Sequence, residues 1–133
     1  MTPLQEIITT YLRNHPNMAS VSPRIHWITA PQNNPTPYIV CTTIGTETFN
    51  ELTGTAGLKS TQVQFMLVAN TQAVLFQNYR KLEECFIHWP INVTYNSQNY
   101  EIAAVVHRTN MDMYDEETQQ YYIIARFDFY YRE

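Results

Sequence analysis

The sequence predicts an α+β domain: an antiparallel or mixed β-sheet with two amphipathic helices packed on one face, in two layers. Three observations predict it. Between residues 59 and 69, Val63, Phe65, Leu67 and Ala69 alternate with Gln62, Gln64 and Met66, the period of a half-buried strand. From Thr71 the period changes: Val74, Leu75, Asn78, Tyr79, Leu82, Cys85 and Phe86 recur at three- and four-residue steps, which is a helix. Over 119–131, Tyr121, Ile123, Ala125, Phe127 and Phe129 point one way, and Tyr122, Ile124, Arg126, Asp128 and Tyr130 the other. The 133 residues suit a single domain, spanning 1–133, with a core that needs no staples.

Taken in order, Thr2-Pro3-Leu4-Gln5 opens a first helix, with Thr2 as cap, Pro3 in the first turn and Gln5 completing a capping box. Leu4, Ile7, Ile8, Tyr11 and Leu12 make one apolar stripe, to be buried on the core or on a partner. Pro16 ends this helix, since the residue before proline avoids helical angles. Residues 24–28 are a short strand with Ile25 and Trp27 on one side. Residues 29–37 hold three prolines and form a stiff loop. Residues 38–49 form the first long strand, in which Gly45 marks a bulge or a close backbone approach. Residues 50–58 are expected to be a mobile loop through Gly54 and Gly57. Thr71 caps the second helix, which Trp89-Pro90 stops. A hairpin follows, 91–95 with 100–108 around a turn at 96–99, then a mobile acidic loop over 109–118, then the last strand.

Composition narrows the function. Formal net charge is −4, against the Lys- and Arg-rich surface of a dedicated nucleic-acid binder. No basic-then-apolar start resembles a signal peptide, and no apolar run is long enough to span a membrane. Cys41 and Cys85 sit in apolar settings and read as buried thiols. The ten tyrosines suit sheet faces and subunit contacts, offering apolar area with a polar tip.

A search for chemistry gives little. No two of His15, His26, His88 and His107 fall at metal-pair spacing, so no metal or cofactor is expected. Glu83 and Glu84 are adjacent on a helix and point apart, as a solvated face does. Asp112, Asp115, Glu116 and Glu117 lack calcium-loop spacing. The stretch 54–60 fails as a phosphate loop: two residues separate its glycines, and a strand follows. An enzymatic or ligand-binding domain would need a convergent cluster, for which His26, His107 and Asp128 are the candidates.

Four landmarks, in order and spacing, carry a resemblance. They are Thr36-Pro37-Tyr38-Ile39-Val40; Leu52-Thr53-Gly54-Thr55-Ala56-Gly57-Leu58 followed by Gln62-Val63-Gln64; Val68-Ala69-Asn70-Thr71-Gln72-Ala73; and Met113-Tyr114-Asp115-Glu116-Glu117-Thr118 before a strand ending Arg126-Phe127-Asp128-Phe129-Tyr130-Tyr131. Together they resemble the phage tail completion family, the tail terminators of long-tailed bacteriophages. The resemblance spans nearly the whole chain, least clearly before Arg24. It implies a non-enzymatic structural protein at the head-proximal end of the virion tail. Such a protein forms a hexameric ring that caps the tail tube, stops its polymerisation and joins a head-side connector, while DNA passes through without specific binding. The contact residues expected on this reading are Leu52, Gly54 and Gly57 in the first loop, Met111, Met113 and Tyr114 in the second, and Tyr122, Ile124 and Tyr130 on the second face of the last strand. The acidic side chains of the second loop are expected to line or flank the channel. A head-side connector, also a ring, is the neighbouring alternative.

Overall fold

A computed structural model describes residues 4–19, 21, 24–28, 36–51 and 54–132, with side chains except at 46–51, 54–58, 109 and 132. The predicted order of elements holds: helix, three strands, helix, three strands. They are α1 (Leu4–Asn14), β1 (Ile25–Trp27), β2 (Tyr38–Glu51), β3 (Gly54–Ala69), α2 (Gln72–Cys85), β4 (Ile91–Tyr95), β5 (Gln98–Asp115) and β6 (Gln120–Arg132). One mixed sheet runs β1-β2-β3-β6-β5-β4; among the described residues only β1 and β2 pair parallel.

The helices follow from their stripes. Leu4, Ile7, Ile8 and Leu12 bury one face of α1. A 3₁₀ turn, Pro16–Met18, follows it, capped by the His15 Nδ1, which accepts from the Asn17 N–H at 3.1 Å. Thr71 caps α2 as expected, its hydroxyl accepting from the Val74 N–H at 3.3 Å. The expected first cap, Thr2, lies outside the described residues. Both helices pack on one sheet face, where Phe65, Phe86, Phe127 and Phe129 form the centre. Their ring centroids stand 5.2 to 6.2 Å apart in tilted and edge-on pairs, the arrangement that ring quadrupoles favour. Polar ties fix the layers: the Trp27 Nε1 donates to the Thr9 hydroxyl (2.6 Å), and the Tyr11 hydroxyl donates to the Cys85 carbonyl.

Three expectations about connections need correction. The stretch 50–58 is not a broad loop. β2 runs to Glu51 and β3 starts at Gly54, with Asn50 opposite Thr55 and Glu51 opposite Gly54. This ribbon passes the end of β6, whose Arg132 stands opposite Leu58. Gly54 and Gly57 are therefore strand residues, and Leu52 lies outside the described residues. The stretch 109–118 is likewise mostly strand: β5 continues to Asp115, and only 116–119 turn back. Backbone pairing with β6 overrides the loop-like composition. The β4–β5 turn is also tighter than expected. Asn96 and Ser97 both take positive φ, 51° and 62°, the geometry of a two-residue hairpin. Gly45 does mark a bulge, between Thr43 and Gly45, but no close approach: a Cβ there would meet nothing within 4 Å.

Candidate assembly surfaces

The sheet has a second face, and among the described residues neither helix packs on it. Register assembles it from four strands. Tyr38, Val68, Tyr122 and Met113 form one rank across β2, β3, β6 and β5; Val40, Met66, Ile124 and Met111 form the next. Val40 and Val68 are buried although they lie outside the main core, while Met111 and Met113 are 59% and 42% exposed. The result is an apolar field about two ranks deep, as the alternation of β6 foretold for Tyr122 and Ile124. Tyr38, Val40 and Met66 belong to it too, and the alternation around Ile39, Cys41 and Phe65 carries that signal.

Farther along the same face the ranks turn polar: Thr42, Gln64, Arg126 and Thr109, then Gly45, Gln62, Asp128 and Val106, then Glu47, Ser60, Tyr130 and Ala104. Asp128 is 9% exposed and is held on two sides. The Arg108 Nε donates to its Oδ2 at 2.5 Å, and the Gln62 Nε2 to its Oδ1 at 3.2 Å. Arg108 also reaches the Tyr130 hydroxyl at 3.3 Å. Asp128 stabilises the cation in return, raising the Arg108 pKa by hydrogen bond and charge. Arg108 occupies a register shift between His107 and Thr109, which carries it onto this face. These groups border a hollow of about 440 Å³.

The expected contact residues therefore divide. Met111, Met113, Tyr122, Ile124 and Tyr130 share the open face. Tyr114 is on the helix-side face, its ring 4.7 Å from that of Tyr121. Asp112, opposite Ile123, is on the helix side as well. Asp115 is tied into the turn, accepting from the Glu117 N–H at 3.0 Å and the Tyr122 hydroxyl at 3.3 Å.

The candidate cluster of His26, His107 and Asp128 does not converge. β2, β3 and β6 lie between β1 and β5, so His26 and His107 stand roughly 19 Å apart at ~4.8 Å per strand. His107 also faces the helix side, whereas Asp128 faces the open side. His107 has other partners: it stacks on Phe127 at 4.8 Å, meets the Tyr79 hydroxyl at 3.2 Å and lies 3.6 Å from a Glu83 oxygen. Sequence reading left Glu83 as part of a solvated face; its tie to His107 spans elements and has no local signal. His107, Glu83 and Phe127 border a cleft of about 350 Å³, which Ile87 and Trp89 also line. Burial, with Glu83 and Asp112 nearby, pushes the Tyr79 phenol up to about 12, so it is a poor nucleophile. Burial likewise pushes the Cys85 thiol to about 12 and the Cys41 thiol up, so both unbonded thiols are inert packing groups. Among the described residues no group of three His, Cys, Asp or Glu side chains is placed to hold a metal, and no helix is long and apolar enough to cross a membrane.

No protein-family model and no curated protein matches the chain. Solved structures do match. One is a chain of the virion of a native gene transfer agent (GTA) particle, similar at a TM-score of 0.71 and 10% identity, over 98% of this chain and 95% of that one. At that identity the likeness is one of fold, and it extends over nearly the whole of both chains.

Proposed function

We propose that this chain is a non-enzymatic structural protein of a virion, a tail terminator. Six copies form a ring that caps the tail tube, ends its polymerisation and joins the head-side connector, and DNA passes through the ring without specific binding. The observation that carries the reading is the likeness of fold to a chain of a GTA virion over nearly the whole of both chains. Two further features support it. His107, Glu83, Arg108 and Asp128 are engaged in ties within the fold, and the candidate cluster of His26, His107 and Asp128 does not converge. The apolar half of the open sheet face, with Met111 and Met113 exposed, is suited to burial against another protein. Tail tube subunits and the connector are the other partners on this reading, and the tail's head-proximal end is its place.

Electron microscopy of particles made without the protein tests the role. A terminator's loss gives tails of uncontrolled length. Tails of normal length beside full, unjoined heads would assign the chain to the connector instead, and normal joined particles would remove both roles.

A further inference from the structure

We infer that successive copies in the ring join through their backbones: the border of β2 over residues 42–49 in one copy pairs antiparallel with the border of β5 over residues 103–109 in the next. The inference rests on the ring reading and specifies its contact.

Both borders are uncovered among the described residues. β1 pairs with β2 only at 39–41, and β4 with β5 only at 98–102. The uncovered stretches also lie at the same height on the sheet. Thr42 and Thr109 share a rank through Gln64 and Arg126; Glu47 and Ala104 share one through Ser60 and Tyr130. Their directions are opposite. β2 is antiparallel to β3, β3 to β6 and β6 to β5, so β2 and β5 run opposite ways. Turning a copy about an axis along the strands preserves direction, so its β5 meets the neighbour's β2 antiparallel. That is the heterologous contact a closed ring requires. A self-pair of β2 with β2, or of β5 with β5, would leave the other border bare in every copy. The head-to-tail pair covers both borders of all copies.

The residues suit the contact. Exposed sheet borders are normally blunted by lysine or proline, and neither occurs in 42–51 or 103–115. Thr42-Thr43-Ile44-Gly45 and Ala103-Ala104-Val105-Val106 are small or β-branched, which lets backbones approach. The one cation of the β5 stretch, Arg108, is folded over the sheet onto Asp128. Ile44, 46% exposed on the β2 border, would be partly covered by the neighbour. The bulges at Ile44 and Arg108 add the bend that a sheet needs to curl around an axis.

Disulfide trapping tests this. Gly45→Cys, where a side chain meets nothing within 4 Å, is combined with Val106→Cys of the same rank or with Ala104→Cys two residues along, all on the open face, in protein concentrated to the ring state or assembled on tails. The two combinations sample different strand registers. The native thiols are buried and should stay silent. The expected result is a ladder of covalent oligomers from one of the combinations, and none from any single variant; melting temperatures near the parent's establish that the variants fold. Rings of unchanged mass with no ladder from either combination would overturn the edge pairing and leave the ring reading intact. Gly45→Cys alone giving covalent dimers would replace it with a β2 self-pair. Subunits that stay monomeric within purified tails would remove the ring reading, and the edge pairing with it.

Discussion

Asp128 and Arg108 are the pair whose chemistry depends most on one backbone irregularity. A nearly buried carboxylate accepts from a guanidinium that is half exposed. Removing the cation leaves the anion without its countercharge, whereas making the acid neutral and isosteric removes the need for a countercharge. Arg108→Ala should therefore destabilise the fold measurably, because Asp128 Oδ2 loses its donor while Gln62 still holds Oδ1. The double variant with Asp128→Asn should recover part of that loss. Urea unfolding of the single and double variants measures both; equal losses in the two would refute the pairing. None of this is legible in sequence. The alternation of β6 puts Asp128 on the open face, but the bulge that delivers Arg108 has no residue signature of its own. By contrast, Phe127 and Phe129 were legible as core residues, because period-two burial is a strictly local pattern.

At the scale of elements, legibility followed the range of the interaction that decides each one. α1 and α2 were readable from their stripes and the Thr71 cap, which act within four residues. The outer ends of β3 and β5, and the last two residues of β2, were not. Gly54 and Gly57, and the acids from Asp112 to Glu117, carry loop composition, while the ladders that extend these strands come from partners elsewhere in the chain. The error matters for the contact residues, because a strand assigns alternate side chains to opposite faces. Met113 and Tyr114 are neighbours in sequence and lie on opposite sides of the sheet. Met113→Ser should leave the melting temperature close to the parent's and weaken assembly. Tyr114→Ser loses the pairing with Tyr121, about 0.5–1.5 kcal/mol, and should leave assembly less affected. Thermal melts beside a tail-capping assay separate the two. A collapse of stability in Met113→Ser would show that the open face is core, not contact.

For the whole molecule, the sequence conveyed the class and the order of elements, and with them the two layers. It did not convey the strand order, because β3 lies beside both β2 and β6, and only the β2 neighbour is close in the chain. Twelve residue pairs join β3 to β6, from Leu58 opposite Arg132 to Ala69 opposite Tyr121. This central seam sets a timetable for synthesis. β3 leaves the ribosome long before β6 exists, and until then one side of the strand bearing Val63, Phe65 and Leu67 has no neighbour. The sheet cannot close before β6 has emerged, and until then α2 has only half of its floor to settle on. Loop closure over that distance also makes the step slow relative to local pairing. Chains stalled on ribosomes before Gln120 emerges should remain protease-sensitive throughout, and become resistant in one step once residues up to Arg132 have cleared the tunnel. Resistance acquired earlier would mean that β2, β3 and α2 fold as a unit of their own. On the timetable the seam imposes, no partly made subunit presents a finished border, so a truncated chain has nothing with which to spoil a ring.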